Sequence, residues 1–270
     1  MIKIGVTGAL GRMGNRILHL AHASKDFKVA AAFENERNPM LGKDVGQVLG
    51  LGVKMNVKLA PLSAAGFKGC GVVIDFSSPE GTAQCVNFAV KTAANLVIGT
   101  TGLGQETEKA IQKASEKIAI LKSPNMSIGA NVLFQIAAFA ARNLTRGYDI
   151  EIVEAHHRLK KDAPSGTAKK LAEVIAKEKG WDLGKVARYG REGITGERPD
   201  KEIGIHVVRA GDIVGEHTVI FSGPGETIEL THKAQSRDAF ARGALAAAFF
   251  LSKKKKGLYT ITDVLGVTAR

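Results

Sequence analysis

A chain of 270 residues, 44% of them hydrophobic, can bury one large core or two modest ones, and a two-domain split is expected. Its formal net charge of +12 admits nucleic acid, an acidic membrane surface or a small anion as partner, but an aromatic content of 6% and the lack of a helix-turn-helix, zinc-finger or RNA-stacking signature speak against nucleic acid. No apolar run is long enough to span a bilayer, the start has no signal-peptide pattern, and Cys70 and Cys85 match no zinc or redox spacing, so a soluble cytoplasmic protein with no membrane partner, metal or disulfide is expected.

The alternating, β-rich run Ile2 to Thr7 predicts a first strand. After it come Gly8-Ala9-Leu10-Gly11-Arg12-Met13-Gly14 and an amphipathic stretch through His22. Strand, glycine loop and helix in that order suit a dinucleotide-binding unit, because glycines allow a tight turn and bring backbone N–H groups close to a pyrophosphate. The G-x-x-G-x-x-G pattern alone is weak. It gains weight from a second strand, Phe27 to Phe33, ending in Glu34 about 20 residues beyond Gly14, where such units place an acidic residue on the adenine ribose. A carboxylate there accepts hydrogen bonds from a 2′-OH and repels a 2′-phosphate. Gly8, Ala9, Leu10, Gly11, Arg12, Met13 and Glu34 are the cofactor candidates on this side. His19 and His22 lie on the first helix and read as structural or surface residues.

A third predicted strand, Gly71 to Asp75, leads into Phe76-Ser77-Ser78-Pro79 and a helix. A fourth, Asn95 to Gly99, leads into Thr100-Thr101-Gly102, and a further one, Ile118 to Leu121, into Ser123-Pro124-Asn125-Met126-Ser127. These loops fall at carboxyl ends of parallel strands, where open α/β sheets bind ligands. Ile128 to Leu144 reads as a helical connector.

The strand Asp149 to Ala155 then delivers the segment Glu154-Ala155-His156-His157-Arg158-Leu159-Lys160-Lys161-Asp162-Ala163-Pro164-Ser165-Gly166-Thr167-Ala168. Here Arg158, Lys160, Lys161, Lys169 and Lys170 stand against Asp162, a cluster that suits an anionic visitor. Ser165-Gly166-Thr167 reads as the N-cap of a helix Ala168 to Lys179, whose free N–H groups suit a carboxylate. Histidine and lysine beside such a nest are proton donors near neutral pH. A glycine- and charge-rich loop follows near Tyr189 to Pro199, then three β-like runs, Ile203 to Arg209, Ile213 to Phe221 and Glu226 to Thr231. Phe240 to Leu251 reads as an alanine-rich helix, and Tyr259 to Leu265 as a return to the first domain. The run Lys253 to Lys256 reads as a solvated helix terminus. The predicted fold is α/β: a Rossmann-like doubly wound parallel sheet over 1–127, with a tail 240–270 returning to it, plus a smaller α+β domain with an open mixed sheet over 128–239.

The 154–168 segment resembles the signature of the dihydrodipicolinate reductases, also called 4-hydroxy-tetrahydrodipicolinate reductases, of lysine biosynthesis, and the resemblance runs over nearly the whole chain. It implies reduction of a cyclic dicarboxylate by NADH or NADPH with loss of water. By that match His156 is the proton donor and Lys160 a second donor or charge-stabilising group, while His157, Gly166 and Thr167 hold substrate carboxylate. Gly99-Thr100-Thr101 and Ser123-Pro124-Asn125-Met126 lie on the nicotinamide side. In the family an arginine often follows the acidic ribose residue and accommodates NADPH. Here Asn35 follows Glu34, which tilts the expectation to NADH, although Arg12 or Arg37 could reach a 2′-phosphate. The resemblance also implies a homotetramer built through the second sheet. Closure of a cleft, with hinges near Asn125 to Ala130 and before Phe240, is expected. Two rivals are another two-domain dehydrogenase of a small amino or imino acid, and a redox-sensing nucleic-acid-binding module.

Overall fold

The structure, a computed structural model, describes residues 1–266; the last four residues of the expected 240–270 tail lie outside the described residues. The chain divides into two compact units, Met1–Ile128 with the segment from Arg237 onward, and Gly129–Ser236.

The first unit runs β1 (Ile2–Thr7), α1 (Arg12–Ala23), β2 (Phe27–Glu34), α2 (Val45–Val48), β3 (Leu59–Pro61), α3 (Ala64–Phe67), β4 (Val72–Asp75), α4 (Pro79–Thr92), β5 (Asn95–Ile98), α5 (Gln105–Ala114) and β6 (Ala119–Lys122). The second runs α6 (Ile128–Asn143), β7 (Asp149–His156), α7 (Gly166–Lys179), α8 (Leu183–Val186), β8 (Ala187–Tyr189), β9 (Ile203–Arg209), β10 (Gly215–Gly223) and β11 (Glu226–Ala234). Then α9 (Asp238–Leu251), β12 (Gly257–Tyr259) and α10 (Ile261–Val264) complete the first unit.

The first sheet has the order β12-β6-β5-β4-β1-β2-β3 with every pairing parallel. Its strand order reverses beside β1, the switch point at which such sheets bind ligands. Both faces are covered, so the middles of the central strands are runs of apolar residues, with polar ones at their ends, as parallel sheets require. Alternation sorts them: Ile4, Val6, Val72, Ile74, Val97 and Leu121 face α1 and α9, whereas Val73, Leu96, Ile98 and Ile120 face α4 and α5. The returning segment is tied in by polar groups as well. Arg16 on α1 forks onto Asp238 of α9 at 2.7 and 2.9 Å, and the Asn95 amide donates to the carbonyls of Leu251 and Lys254.

The second sheet, β11-β10-β7-β9-β8, is mixed: β7, β9 and β8 are parallel, and β10 is antiparallel to both β7 and β11. Helices α6 and α7 supply its core with Leu133, Phe134, Leu171 and Ile175, which meet Ile150, Ile152, Ile203, Val219 and Phe221 from the strands.

The structure adds elements to those expected. Strand β3 lies between β2 and β4, so the third expected strand is the fourth; three residues ending in a proline are too short for periodicity to declare, and an edge place is where proline is tolerated. Likewise the short strand β8 was not expected; it ends at Tyr189, where the charged loop begins. Helix α7 begins at Gly166, two residues earlier than expected, because Ser165 caps it by accepting from Ala168 N.

Gly243 on α9 marks how closely that helix packs, since a Cβ there would lie 1.7 Å from the Met126 carbonyl oxygen. Alanine gains about 1 kcal/mol of helix propensity over glycine, but a fixed backbone oxygen cannot yield, and overpacking costs about 1–3 kcal/mol or more. Gly243→Ala is therefore expected to lower the thermal midpoint of the first unit in calorimetry; an unchanged or raised midpoint would contradict the packing.

Candidate functional site

Each unit carries one cluster of functional side chains. In the first, Gly8 leaves β1 with φ +64°, and a Cβ there would lie 2.4 Å from the Phe76 carbonyl oxygen; one on Gly14 would lie 2.1 Å from the Gly8 carbonyl oxygen. Side chains are thus excluded at both. Gly11 occupies the N-cap of α1 and offers it no side chain, which leaves that helix start to an anion. Ala9 is buried, Met13 half-buried and Arg12 exposed. The Glu34 carboxylate accepts from Leu10 N at 2.8 Å and from Asn35 N at 2.9 Å, so it is held against the glycine loop. A cavity of about 570 Å³ opens here, lined among others by Gly8, Gly11, Glu34, Glu36, Phe76 and Glu80. A glycine cradle, an open helix start and a fixed carboxylate at one cavity are a donor and acceptor set that fits a nicotinamide dinucleotide.

Asp75, which sequence reasoning left without a role, organises this end of the sheet. Its fully buried carboxylate accepts from Thr7 Oγ1 at 2.5 Å, Ser77 Oγ at 2.6 Å, Thr82 Oγ1 at 2.5 Å and Thr100 Oγ1 at 3.0 Å. Thr100 also accepts from Ser77 N. The ends of β1, β4 and β5 are thereby joined, and Thr100 is brought to the glycine loop's neighbourhood. Gly99 is glycine for a local reason: a Cβ would lie 2.2 Å from the Phe76 ring. Thr101 is exposed. In the loop after β6, Ser123 Oγ donates to the Asn125 carbonyl and Asn125 Oδ1 accepts from Ser127 N. Pro124 is exposed, while the Met126 side chain is buried in the core, so only its backbone is offered to a ligand.

In the second unit, strand alternation carries Ile150 and Ile152 into the core, and the next residue in that phase is Glu154. It is fully buried. Its carboxylate accepts a fork from Arg209 of β9 at 2.8 and 2.9 Å, the Ser165 backbone N–H at 2.8 Å, and lies 2.6 Å from His156 Nδ1. Ser165 Oγ is 2.9 Å from His217 Nε2, and the His217 ring meets the His156 ring edge to face at 5.2 Å. Thus His156 and the start of α7, with Gly166 and Thr167 in its first turn, share one carboxylate. Lys160 reaches Asp162 at 2.9 Å, and Arg209 also donates to the Asp162 carbonyl. The His157 carbonyl accepts from Lys160 N; its side chain is half-buried.

Burial would raise the Glu154 pKa, but the bonds from Arg209, His156 and Ser165 outweigh it and hold the carboxyl down at about 2. Burial lowers the His156 pKa; Glu154 opposes this, and Lys160 and Arg209 add to it. Burial, aided by His156, takes His217 down to about 3, so His217 is neutral at physiological pH. Arg209, His217 and Asp75 lay outside the expected site because each is joined to it by the fold and by no sequence neighbour. Glu154 did carry a signal, an acid at an apolar position of the strand's alternation.

Among the described residues no group of His, Cys, Asp and Glu is placed to hold a metal ion, and no helix is long and apolar enough to cross a membrane.

Residues 2–126 match the family model of the dihydrodipicolinate reductase N-terminus, and residues 129–265 that of its C-terminus. The chain belongs to the dihydrodipicolinate reductase family. Among its relatives, the 4-hydroxy-tetrahydrodipicolinate reductase of Nitrosomonas eutropha is 47% identical over 269 residues, covering 99% of each chain. That of Methanocaldococcus jannaschii is 47% identical over 276 residues, covering 99% of this chain and 98% of its own. A dipicolinate-bound dihydrodipicolinate reductase from Paenisporosarcina sp. TG-14 shares the fold, with a TM-score of 0.77 at 24% identity over 97% of this chain and 99% of that one.

The buried carboxylate makes the second unit acid-sensitive with a definite sign. Glu154 titrates at about 2 when folded, below its ordinary 4.5. Its contribution is therefore complete above that ordinary value and is lost as pH falls from there through about 2. Trp181, the only tryptophan, packs against the second core and reports this unit. Urea unfolding followed by its fluorescence is expected to show a smaller loss between pH 6 and pH 3 for Glu154→Gln than for the parent. Equal losses would count against the assignment.

Proposed function

We propose that this chain is the NAD(P)H-dependent reductase that converts 4-hydroxy-tetrahydrodipicolinate to tetrahydrodipicolinate and water in the diaminopimelate route to lysine. The observation that carries the reading is the joining of an imidazole, as proton donor, to a helix N-terminus through one buried carboxylate, in a chain matched along both halves by the family. When bound in the first unit, the nicotinamide supplies the hydride. Everything else falls to the chain's own groups. The glycine loop Gly8 to Met13 and Glu34 hold the pyrophosphate and adenine ribose. Gly99, Thr100, Thr101 and the loop Ser123 to Met126 orient the nicotinamide end.

Gly166 and Thr167 at the start of α7, with His157, hold a substrate carboxylate. His156 donates a proton from Nε2, and Lys160 offsets developing negative charge or donates in its turn. The bound carboxylates bring negative charge to a site where Lys160 and Arg209 depress the His156 pKa, so substrate itself favours the protonated donor. A hydride and a proton enter, and the ring hydroxyl leaves as water.

NADH is the preferred cofactor in this reading. Glu34, Glu36 and Glu80 line the cavity, and none of its lining residues among those described is basic; a 2′-phosphate would meet like charge without a partner. Arg12 and Arg37 are exposed and outside that lining. The chain is further read as a cytoplasmic homotetramer assembled through the second sheet, whose β10 and β11 leave Thr218, Thr231, Ser222 and Thr227 paired on an outer face.

The test is oxidation of NADH and NADPH side by side, with substrate generated in situ from pyruvate and aspartate semialdehyde by the condensing enzyme. Turnover favouring NADH is expected. His156→Ala should reduce kcat about 10²–10⁴-fold, the usual worth of a general acid, with NADH binding unchanged, and loss of Lys160 should act in the same direction. Clear NADH binding with no turnover would move the reading to a dehydrogenase of another imino acid.

A further inference from the structure

We propose that Glu154 is a positioning residue that acts through His156, fixing the imidazole with Nδ1–H on the buried carboxylate and Nε2 turned to the substrate. The inference rests on the reductase reading above and deepens it. Three observations carry it. The carboxylate is fully buried and lies 2.6 Å from Nδ1, close enough for a charge-assisted bond. At the opposite nitrogen a glycine keeps a side chain away, since a Cβ on Gly215 would lie 3.1 Å from Nε2, and the ring retains 11% exposure. The remaining oxygen of the same carboxylate accepts Ser165 N, so the donor and the carboxylate-binding helix start are held in one register.

The tautomer follows from these bonds. An ionised carboxylate only accepts, so Nδ1 must donate. In the protonated ring Nε2 then carries the transferable proton. On transfer the Nε2–H bond breaks, its electron pair stays on the imidazole, and the proton passes to the substrate. Nδ1 keeps its hydrogen and Glu154 stays ionised. Fresh protons reach the ring from solvent, to which the side chain is 11% exposed.

Burial lowers the His156 pKa most, and the groups facing the ring modify it. Glu154 from β7 favours the charged ring; Lys160 in the following loop and Arg209 from β9 disfavour it. Asp162 is engaged by Lys160 and His217 from β10 is neutral. Arg209 has a second part here. Its fork on Glu154 holds the carboxylate in plane with both oxygens occupied, and it keeps the acid ionised beside a cation that comes and goes with each turnover.

Glu154→Gln preserves size and turns an amide N–H towards Nδ1, which forces that nitrogen to accept. The stable neutral ring then bears its hydrogen on Nε2, and the charged ring loses its counter-charge. The expected result is a kcat about 100-fold lower at pH 7.5, within the range of acid catalysis. The pH at which kcat falls as pH rises should move to acid by about one unit, as for loss of a neighbouring opposite charge, with KM for NADH unchanged. Glu154→Asp, which keeps the charge, should restore the midpoint even where the rate stays low. Titration of the His156 ring by NMR reads the same displacement in resting enzyme. It keeps the test open if the parent proves inactive with this substrate, an outcome that would sink the reductase reading alone. A merely structural glutamate would lower the amplitude without moving either midpoint, and unmoved midpoints in Glu154→Gln would overturn the proposal.

Discussion

A carboxylate removed from water is costly unless it is paired and hydrogen-bonded, and breaking such a pair by deleting one partner costs about 3–5 kcal/mol. Glu154 meets that requirement with a forked arginine, a backbone N–H and an imidazole. Those partners come from β9, the N-cap of α7 and β7 itself. The His217 ring on β10 closes the group through Ser165. One carboxylate therefore registers two parallel strands, an antiparallel neighbour and the helix that covers them. The proposed chemistry would use the same bonds, for the imidazole and the helix start are both tied to it.

The first unit solves a similar problem differently. Asp75 is equally buried, but its partners are the hydroxyls of Thr7, Ser77, Thr82 and Thr100 and the Cys85 thiol, with no cation among them in the described residues. Each hydroxyl belongs to a different turn at the carboxyl edge of the sheet or to the first turn of α4. The arrangement fixes loops without placing a positive charge beside the cofactor cavity, whose lining instead carries Glu34, Glu36 and Glu80. A cationic anchor here would attract a 2′-phosphate; hydroxyls leave the rim acidic, as the proposed NADH preference requires.

Much of this was legible in the sequence. The glycine loop, β1, α1 and β2 follow from alternation giving way to glycine and then to helical spacing, and β9 and β11 begin where the apolar runs begin. Strands β3 and β8 were not legible, because three residues at a sheet edge carry too little pattern and take their shape from the neighbour they pair with. The site divides the same way. His156, Lys160 and the start of α7 sit in one contiguous segment, which a local reading can single out as a candidate. Arg209 and His217 are 53 and 61 residues from His156 by numbering, and only the pairing of β7 with β9 and β10 brings them in. Met126 shows the converse: a loop residue expected near the cofactor turns its side chain into the core beneath α9.

A double-mutant cycle on Glu154 and Arg209, with stability of the second unit read from Trp181 fluorescence in urea, tests the central claim most directly. Glu154→Gln and Arg209→Met should each destabilise by about 3–5 kcal/mol, since each leaves a buried or half-buried charge without its partner. The double variant should cost well under their sum, by at least about 1–2 kcal/mol of coupling. Additive losses would contradict the account, for they would mean that the unit does not depend on this ion pair.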